Sequence, residues 1–298
     1  MPTPAARAAV PLVRLLGFKR VFADADAMRA HVDAQLLRPP PYGPPRWLRR
    51  DVRVTAGRHG TWPAYLVAPR DHAPHRHVVH VHGGAWVNQI NPLHWRFVAA
   101  LAATARVGVT VPIYPLAPLG TAAEVVPAVA DAVQQLVDAH GADRVALAGD
   151  SAGGQIALSA ALVLRDRGVA PLHRTLLIAP ALDLTLDNPE IDLVEPRDPW
   201  LARPGTRAAI ELWRGGLDVR DPLVSPLFGD LRGLGPLTVF SGTRDITDPD
   251  TRELVRRARA AGVGVDHHEE RDLVHVYPLL PLPEGRRALR VAAAALRG

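Results

Sequence analysis

The chain has 298 residues, 48% of them hydrophobic, which is ample for a large buried core. It has no cysteine, which excludes disulfides, thiolate metal sites and a cysteine nucleophile. The formal charge of +5 rests on arginine, with Lys19 the single lysine and no dense basic run, so the sequence reads as a solvated surface and no nucleic-acid partner is expected.

Residues 1–38 read as helical. Arg14 interrupts the apolar stretch early, and 8–13 is too short for the core of a signal peptide. The segment fits an amphipathic helix better, with Val13, Leu16 and Phe18 on one side. Five prolines in "RPPPYGPPRW" (38–47) then break the chain. "DVRVTAG" and "WPAYLVAP" alternate around the turn "RHGT" and predict an antiparallel pair. "HVVHVHGG" is a third strand, and "VGVTVPIY" has the near-continuous apolar run of a strand buried on both faces. The charge-free stretch 107–123 holds Pro112, Pro115 and Pro118, so it is no membrane helix of about 20 residues. A cytoplasmic protein without a membrane span is the expectation.

Residues 122–139 place Val125, Val129, Val133, Leu136 and Val137 on one helical stripe. A strand at 144–149, a helix at 153–167 and strands at 175–182 and 236–243 follow. A helix at 249–262, a short strand "GVDHHEER" and a last helix at 284–297 close the chain. Strands alternating with helices predict an α/β fold, a mostly parallel sheet covered on both faces. Between 183 and 222 the sequence turns acidic and proline-broken, with a helical patch near 206–212. This reads as an insertion over the sheet within a single domain, 1–298.

"GDSAGG" (149–154) lies between a predicted strand and a predicted helix. G-x-S-x-G there is the pattern of a sharp turn that lifts Ser151 off the sheet's carboxyl edge, with Gly149 and Gly153 where a Cβ would not fit. A plain glycine-rich turn is the competing reading. "VHGGAW" (81–86), about 65 residues upstream at another strand end, tips the balance. Gly83 and Gly84 can present backbone N–H groups to a developing oxyanion, with the N–H of Ala152 as a third donor. Downstream, Asp245 stands in the exit loop of a buried strand and His275 in the loop before the last helix. Nucleophile, acid, base is the chain order of such sites in the α/β-hydrolase fold, and Ser151, Asp245 and His275 stand in it. Asp248 competes as the acid but suits an N-cap for the helix at 249. His267 and His268 compete as the base but fall in a strand.

The motifs "HGGAW", "YPLAP" (114–118), "GDSAGG", "SGTRD" and "HVYPLL" resemble, in order, those of the hormone-sensitive-lipase-like family of bacterial α/β-hydrolase esterases. The resemblance spans about residue 48 to the end. It implies an α/β-hydrolase fold with an eight-stranded, mostly parallel sheet. It also implies a helical cap, here about 1–45 and about 183–220, and a cofactor-independent carboxylesterase acting on small or medium acyl esters. The family's next glycine is Ala85 here, and its acidic residue after "LAP" is Leu119.

His82 is read as positioning the glycine loop and Asp150 as structural, pointing away from the nucleophile. His80 and His82 share a strand face, yet no carboxylate accompanies them locally and no metal is expected. Trp86, Trp95, Trp200 and Trp213 are candidate walls of a substrate pocket, against the alternative of core or cap packing. A small-molecule ester is the expected substrate. A lactone hydrolase or secondary-metabolite deacetylase would use the same residues, an acyltransferase has no specific support, and a non-enzymatic receptor would be favoured by loss of the histidine. The helix at 249–262 and the strand beside it could support a homodimer.

Overall fold

A computed structural model describes residues 2–297. Eight strands form one sheet: β1 (Val52–His59), β2 (Trp62–Pro69), β3 (His77–Val81), β4 (Gly108–Pro112), β5 (Val145–Asp150), β6 (Arg174–Ile178), β7 (Leu237–Gly242) and β8 (Val265–Glu270). Their order is β1-β2-β4-β3-β5-β6-β7-β8, antiparallel from β1 through β4 and parallel from there on.

Because successive strand residues face opposite ways, the central parallel strands β3, β5, β6 and β7 each feed two cores. Val79, Leu147, Leu177 and Val239 join one buried cluster, while Val78, Ala146, Leu176 and Phe240 join the other. The first cluster is covered by α5 (Ala122–His140), α6 (Ala152–Asp166) and α9 (Asp248–Ala260). The second is covered by α4 (Pro92–Ala105) and α10 (Pro283–Arg297).

Helix α4 is absent from the sequence expectations. Asn91 caps it, accepting from the Leu93 N–H at 2.9 Å, and Pro92 takes the first turn. Its body is apolar on most sides, so no polar stripe reveals a 3.6-residue period.

The N-terminal segment is three helices, α1 (Pro4–Leu15), α2 (Phe18–Phe22) and α3 (Ala25–Leu37). Gly17, at φ 73°, separates the first two. Helices α2 and α3 pack on α8 (Arg203–Arg214) and, with the short α7 (Ile191–Val194), cover the carboxyl end of the sheet. Of the stretch at about 1–45 expected in the cap, α1 lies elsewhere. Ala6 and Ala9 pack into the α4/α10 layer, and Glu284 of α10 accepts from the Thr3 N–H at 2.7 Å and its hydroxyl at 3.0 Å. Lys19 Nζ fastens α2 to the insertion by donating to the carbonyls of Glu195 and Asp198, each at 2.6 Å. Among the described residues, no helix is long and apolar enough to cross a membrane.

Candidate active site

Strand β5 ends at Asp150, and Ser151 turns the chain into α6 at φ 52°, ψ −119°. A non-glycine residue takes that left-handed geometry only where its surroundings enforce it. Here the Ser151 N–H donates to the Ile178 carbonyl at 2.8 Å, and its own carbonyl accepts from Ala181 at 3.2 Å. Gly153 makes the turn possible, since a Cβ there would strike the Val81 carbonyl. The result points the Ser151 hydroxyl away from the strand at the amino end of α6.

The two residues predicted far downstream converge on it. His275 Nε2 lies 2.8 Å from Ser151 Oγ, and His275 Nδ1 lies 2.7 Å from Asp245 Oδ2. Ionised Asp245 only accepts, so Nδ1 carries the proton and Nε2 is free to accept from the serine hydroxyl. Burial disfavours a charged His275, but the Asp245 carboxylate outweighs it and holds the imidazole pKa above its ordinary value. If His275 is the base, activity requires its neutral form. The kcat/KM profile should therefore rise with pH through an inflection above about 6.5, and an inflection below that value would contradict the arrangement.

Asp248 does not cap α9. The helix begins at Asp248 itself, with Thr247 before it. The Asp248 carboxyl is buried, 3.3 Å from Arg252, and burial pushes its pKa up to about 7. The carboxyl in direct contact with His275 is that of Asp245, and the capping argument against Asp248 does not hold. His267 contacts Ser241 at 3.0 Å, and His268 lies 2.9 Å from Asp266, both in or beside β8.

Gly83 and Gly84 follow β3 across from the serine. Among the described residues, neither N–H donates to a backbone carbonyl. The Ala152 N–H is likewise at the first turn of α6, where no intrahelical acceptor exists. His82 Nδ1 donates to the Gly83 carbonyl at 2.7 Å, and Tyr114 donates to the His82 carbonyl at 2.9 Å while stacking on its ring. Burial pushes the His82 pKa down to about 3, so the ring is neutral. Asp150 sits under the glycine loop, where a Cβ on Gly83 would strike it.

A network absent from the sequence reading holds Asp150. The Asn91 N–H donates to His94 Nδ1 at 3.2 Å, which leaves the His94 proton on Nε2, 3.2 Å from Asp150 Oδ2. His80 Nε2 is 3.5 Å from the other carboxylate oxygen. The carboxylate missing from the local sequence around His80 and His82 therefore arrives from β5. No group of three such side chains among the described residues is placed to hold a metal ion.

Asp198 is also new. Its Oδ1 accepts from Trp200 and Leu201 at 2.7 and 3.0 Å, and its Oδ2 accepts from the Ile246 N–H at 3.0 Å. It thereby ties the insertion to the residue after Asp245. Burial and the nearby Asp245 charge push its pKa up to about 7. Only its position in an acidic insertion hinted at it.

A narrow cavity of about 30 Å³ opens at Ser151, walled by Ala85 and Trp86, the residues 181–184 after β6, and Phe22 and Leu201 from the cap. Among the four candidate tryptophans, Trp86 lines it. Trp213 stacks on Trp86 at 5.9 Å from behind, and Trp200 stands edge-on to His275 at 6.0 Å. Trp95 does not reach it. Its N–H donates to the Tyr42 carbonyl at 3.2 Å and its ring meets Tyr65, because α4 lies on the opposite face of the sheet from the cavity-side cluster.

An eight-stranded sheet of this order with a serine at the β5–α6 turn defines an α/β hydrolase, and the sequence profile described as the alpha/beta hydrolase fold matches residues 78–279. The chain belongs to that family and, within it, to the hormone-sensitive-lipase-like bacterial esterases. It is similar to the crystal structure of an esterase from the bacterial hormone-sensitive lipase family, at a TM-score of 0.84 and 26% identity over 100% of this chain and 98% of that one. It is 34% identical to an acetyl-hydrolase of Streptomyces hygroscopicus, over 74% of this chain and 75% of the relative. It is also 37% identical to a triacylglycerol lipase of Mycobacterium tuberculosis, over 58% of this chain and 36% of that relative's length.

Proposed function

We propose that the protein is a serine carboxylesterase that hydrolyses short- to medium-chain acyl esters through an acyl-enzyme. The observation that carries this is the unbroken line from Ser151 Oγ to His275 to Asp245, at 2.8 and 2.7 Å. In this reading His275 takes the serine proton as Oγ attacks the ester carbonyl carbon. The carbonyl oxygen becomes an oxyanion facing the N–H groups of Gly83, Gly84 and Ala152. Collapse breaks the bond to the alkoxide, which leaves with the proton from His275. Water, deprotonated by the same imidazole, then attacks the acyl-enzyme and frees the acid and Ser151.

The acetyl-hydrolase and lipase names of the relatives support ester hydrolysis as the reaction class. The retained histidine gives the receptor reading no support. The narrow cavity at Ser151 favours short acyl groups. On p-nitrophenyl esters from acetate to laurate, kcat/KM should peak at the short end and fall by at least about tenfold by laurate, since added methylenes must displace packed cap residues. A maximum at laurate would contradict a narrow pocket, and no turnover of any ester by folded protein would contradict the function.

A further inference from the structure

The cavity at Ser151 is apolar over most of its wall, but Thr247 and Asp250 break that surface. Thr247 is nine-tenths buried, and its hydroxyl finds no hydrogen-bond partner among the described residues. Asp250, in the first turn of α9, is buried as well, with Oδ1 accepting from Asn188 Nδ2 at 2.7 Å. Asp183 also lines the cavity, yet its Oδ1 is already engaged by the N–H and hydroxyl of Thr185. No lysine or arginine among the described residues lines the cavity. Burial, reinforced by the charges of Asp183, Glu253 and Glu190, pushes the Asp250 carboxyl up to about 7. An apolar acyl end would leave the Thr247 hydroxyl unpaired and the Asp250 carboxyl without a counter-charge to offset its burial.

We infer that this cavity selects esters whose lodged group ends in an ammonium, held between the Asp250 carboxylate and the Thr247 hydroxyl. An ammonium is a pure donor with three N–H groups, so it satisfies both acceptors at once. A neutral hydroxyl supplies one donor and no charge. The inference rests on the ester-hydrolase reading of Ser151 and narrows its substrate class. The competing role for Asp250 is structural, as a carboxylate at a helix amino end tying down the 183–190 loop through Asn188.

Matched ethyl esters separate these roles: glycinate against propanoate, β-alaninate against butyrate, and 4-aminobutyrate against pentanoate. In each pair an ammonium replaces a methyl at nearly the same volume. Ethanol release at about pH 7, corrected for spontaneous hydrolysis, gives kcat/KM for each. At one chain length the ammonium ester should exceed its partner by at least about tenfold, because a buried polar site penalises the analogue that leaves it unpaired. Asp250→Asn, which can still accept from Asn188, should bring that ratio towards one, and Thr247→Val should lower it independently. A structural role would reduce both members of a pair equally, and thermal unfolding of each variant shows whether it folds. Preference for the methyl member at every length, or an unchanged ratio in both variants, would overturn the inference alone. Cleavage of neither series would overturn the ester-hydrolase reading and this inference with it.

Discussion

Ser151→Ala should lower kcat/KM on p-nitrophenyl acetate by roughly 10⁴- to 10⁶-fold, leaving only the rate that oriented N–H donors can give without a nucleophile. Alanine keeps the Cβ and removes one atom, so the turn at φ 52° is no more strained than before. The bonds that set the turn run from the backbone, Ser151 N–H to Ile178 and Ala181 N–H to Ser151, and both survive. The unfolding temperature should therefore stay close to that of the parent. Loss of activity with an intact melting curve isolates the hydroxyl. A fall of less than about tenfold would remove Ser151 from the chemistry.

Asp245→Asn should cost about 10⁴-fold in kcat. An amide at the same position can donate to His275 Nδ1, which would move the ring proton to Nε2, the atom that must accept from Ser151 at 2.8 Å. The size of the loss separates Asp245 in the loop from Asp248 at the start of α9. Asp248 faces Arg252 rather than His275, so Asp248→Asn should keep most of the rate. Kinetics of the two variants side by side check this. An equal loss in both would mean that the loop, and not the carboxylate on His275, sets the rate.

The parts of the site readable from the sequence are those whose constraint is local. A serine at φ 52° between a strand and a helix needs small neighbours on both sides, which writes G-x-S-x-G into five consecutive residues. A loop offering two free N–H groups writes adjacent glycines. Short, mostly apolar runs between helical stretches placed the sheet, because β3, β5, β6 and β7 are buried on both faces. Features built from distant residues left no such trace. Asp150 reads as one acidic residue beside a serine, and its partner His94 comes from a helix whose apolar sides erase the period. The signal for that helix was present in "NPLH", an N-cap residue followed by proline. Asp198 acts through three backbone N–H groups, two of them local and one from Ile246 across the insertion, and only folding brings that last one near. Trp95 shows the limit for aromatics: size predicts burial, but the face on which α4 lies decides whether it meets substrate or Tyr65.

The cap links to the chemistry through a short physical chain. Lys19 on α2 holds the carbonyl of Asp198, Asp198 holds the N–H of Ile246, and Ile246 follows Asp245. Trp200, whose N–H also rests on Asp198, places its ring edge-on to His275 and stacks on Phe18 of α2. Helix α2 is thereby connected to Asp245 and His275 through Asp198, Ile246 and Trp200, and its Phe22 walls the cavity at Ser151.

In the proposed reaction Ser151 Oγ is the atom that bonds to the acyl group. Reaction of the protein with diethyl p-nitrophenyl phosphate, followed by intact mass and peptide mapping, tests it most directly. The phosphoryl group mimics the tetrahedral acyl intermediate and stays on the nucleophile. One diethylphosphoryl adduct per chain, on the peptide containing Ser151, with activity lost in proportion and no adduct in Ser151→Ala, is the predicted result. An adduct on another residue, or full ester hydrolysis by protein that takes up none on Ser151, would contradict it.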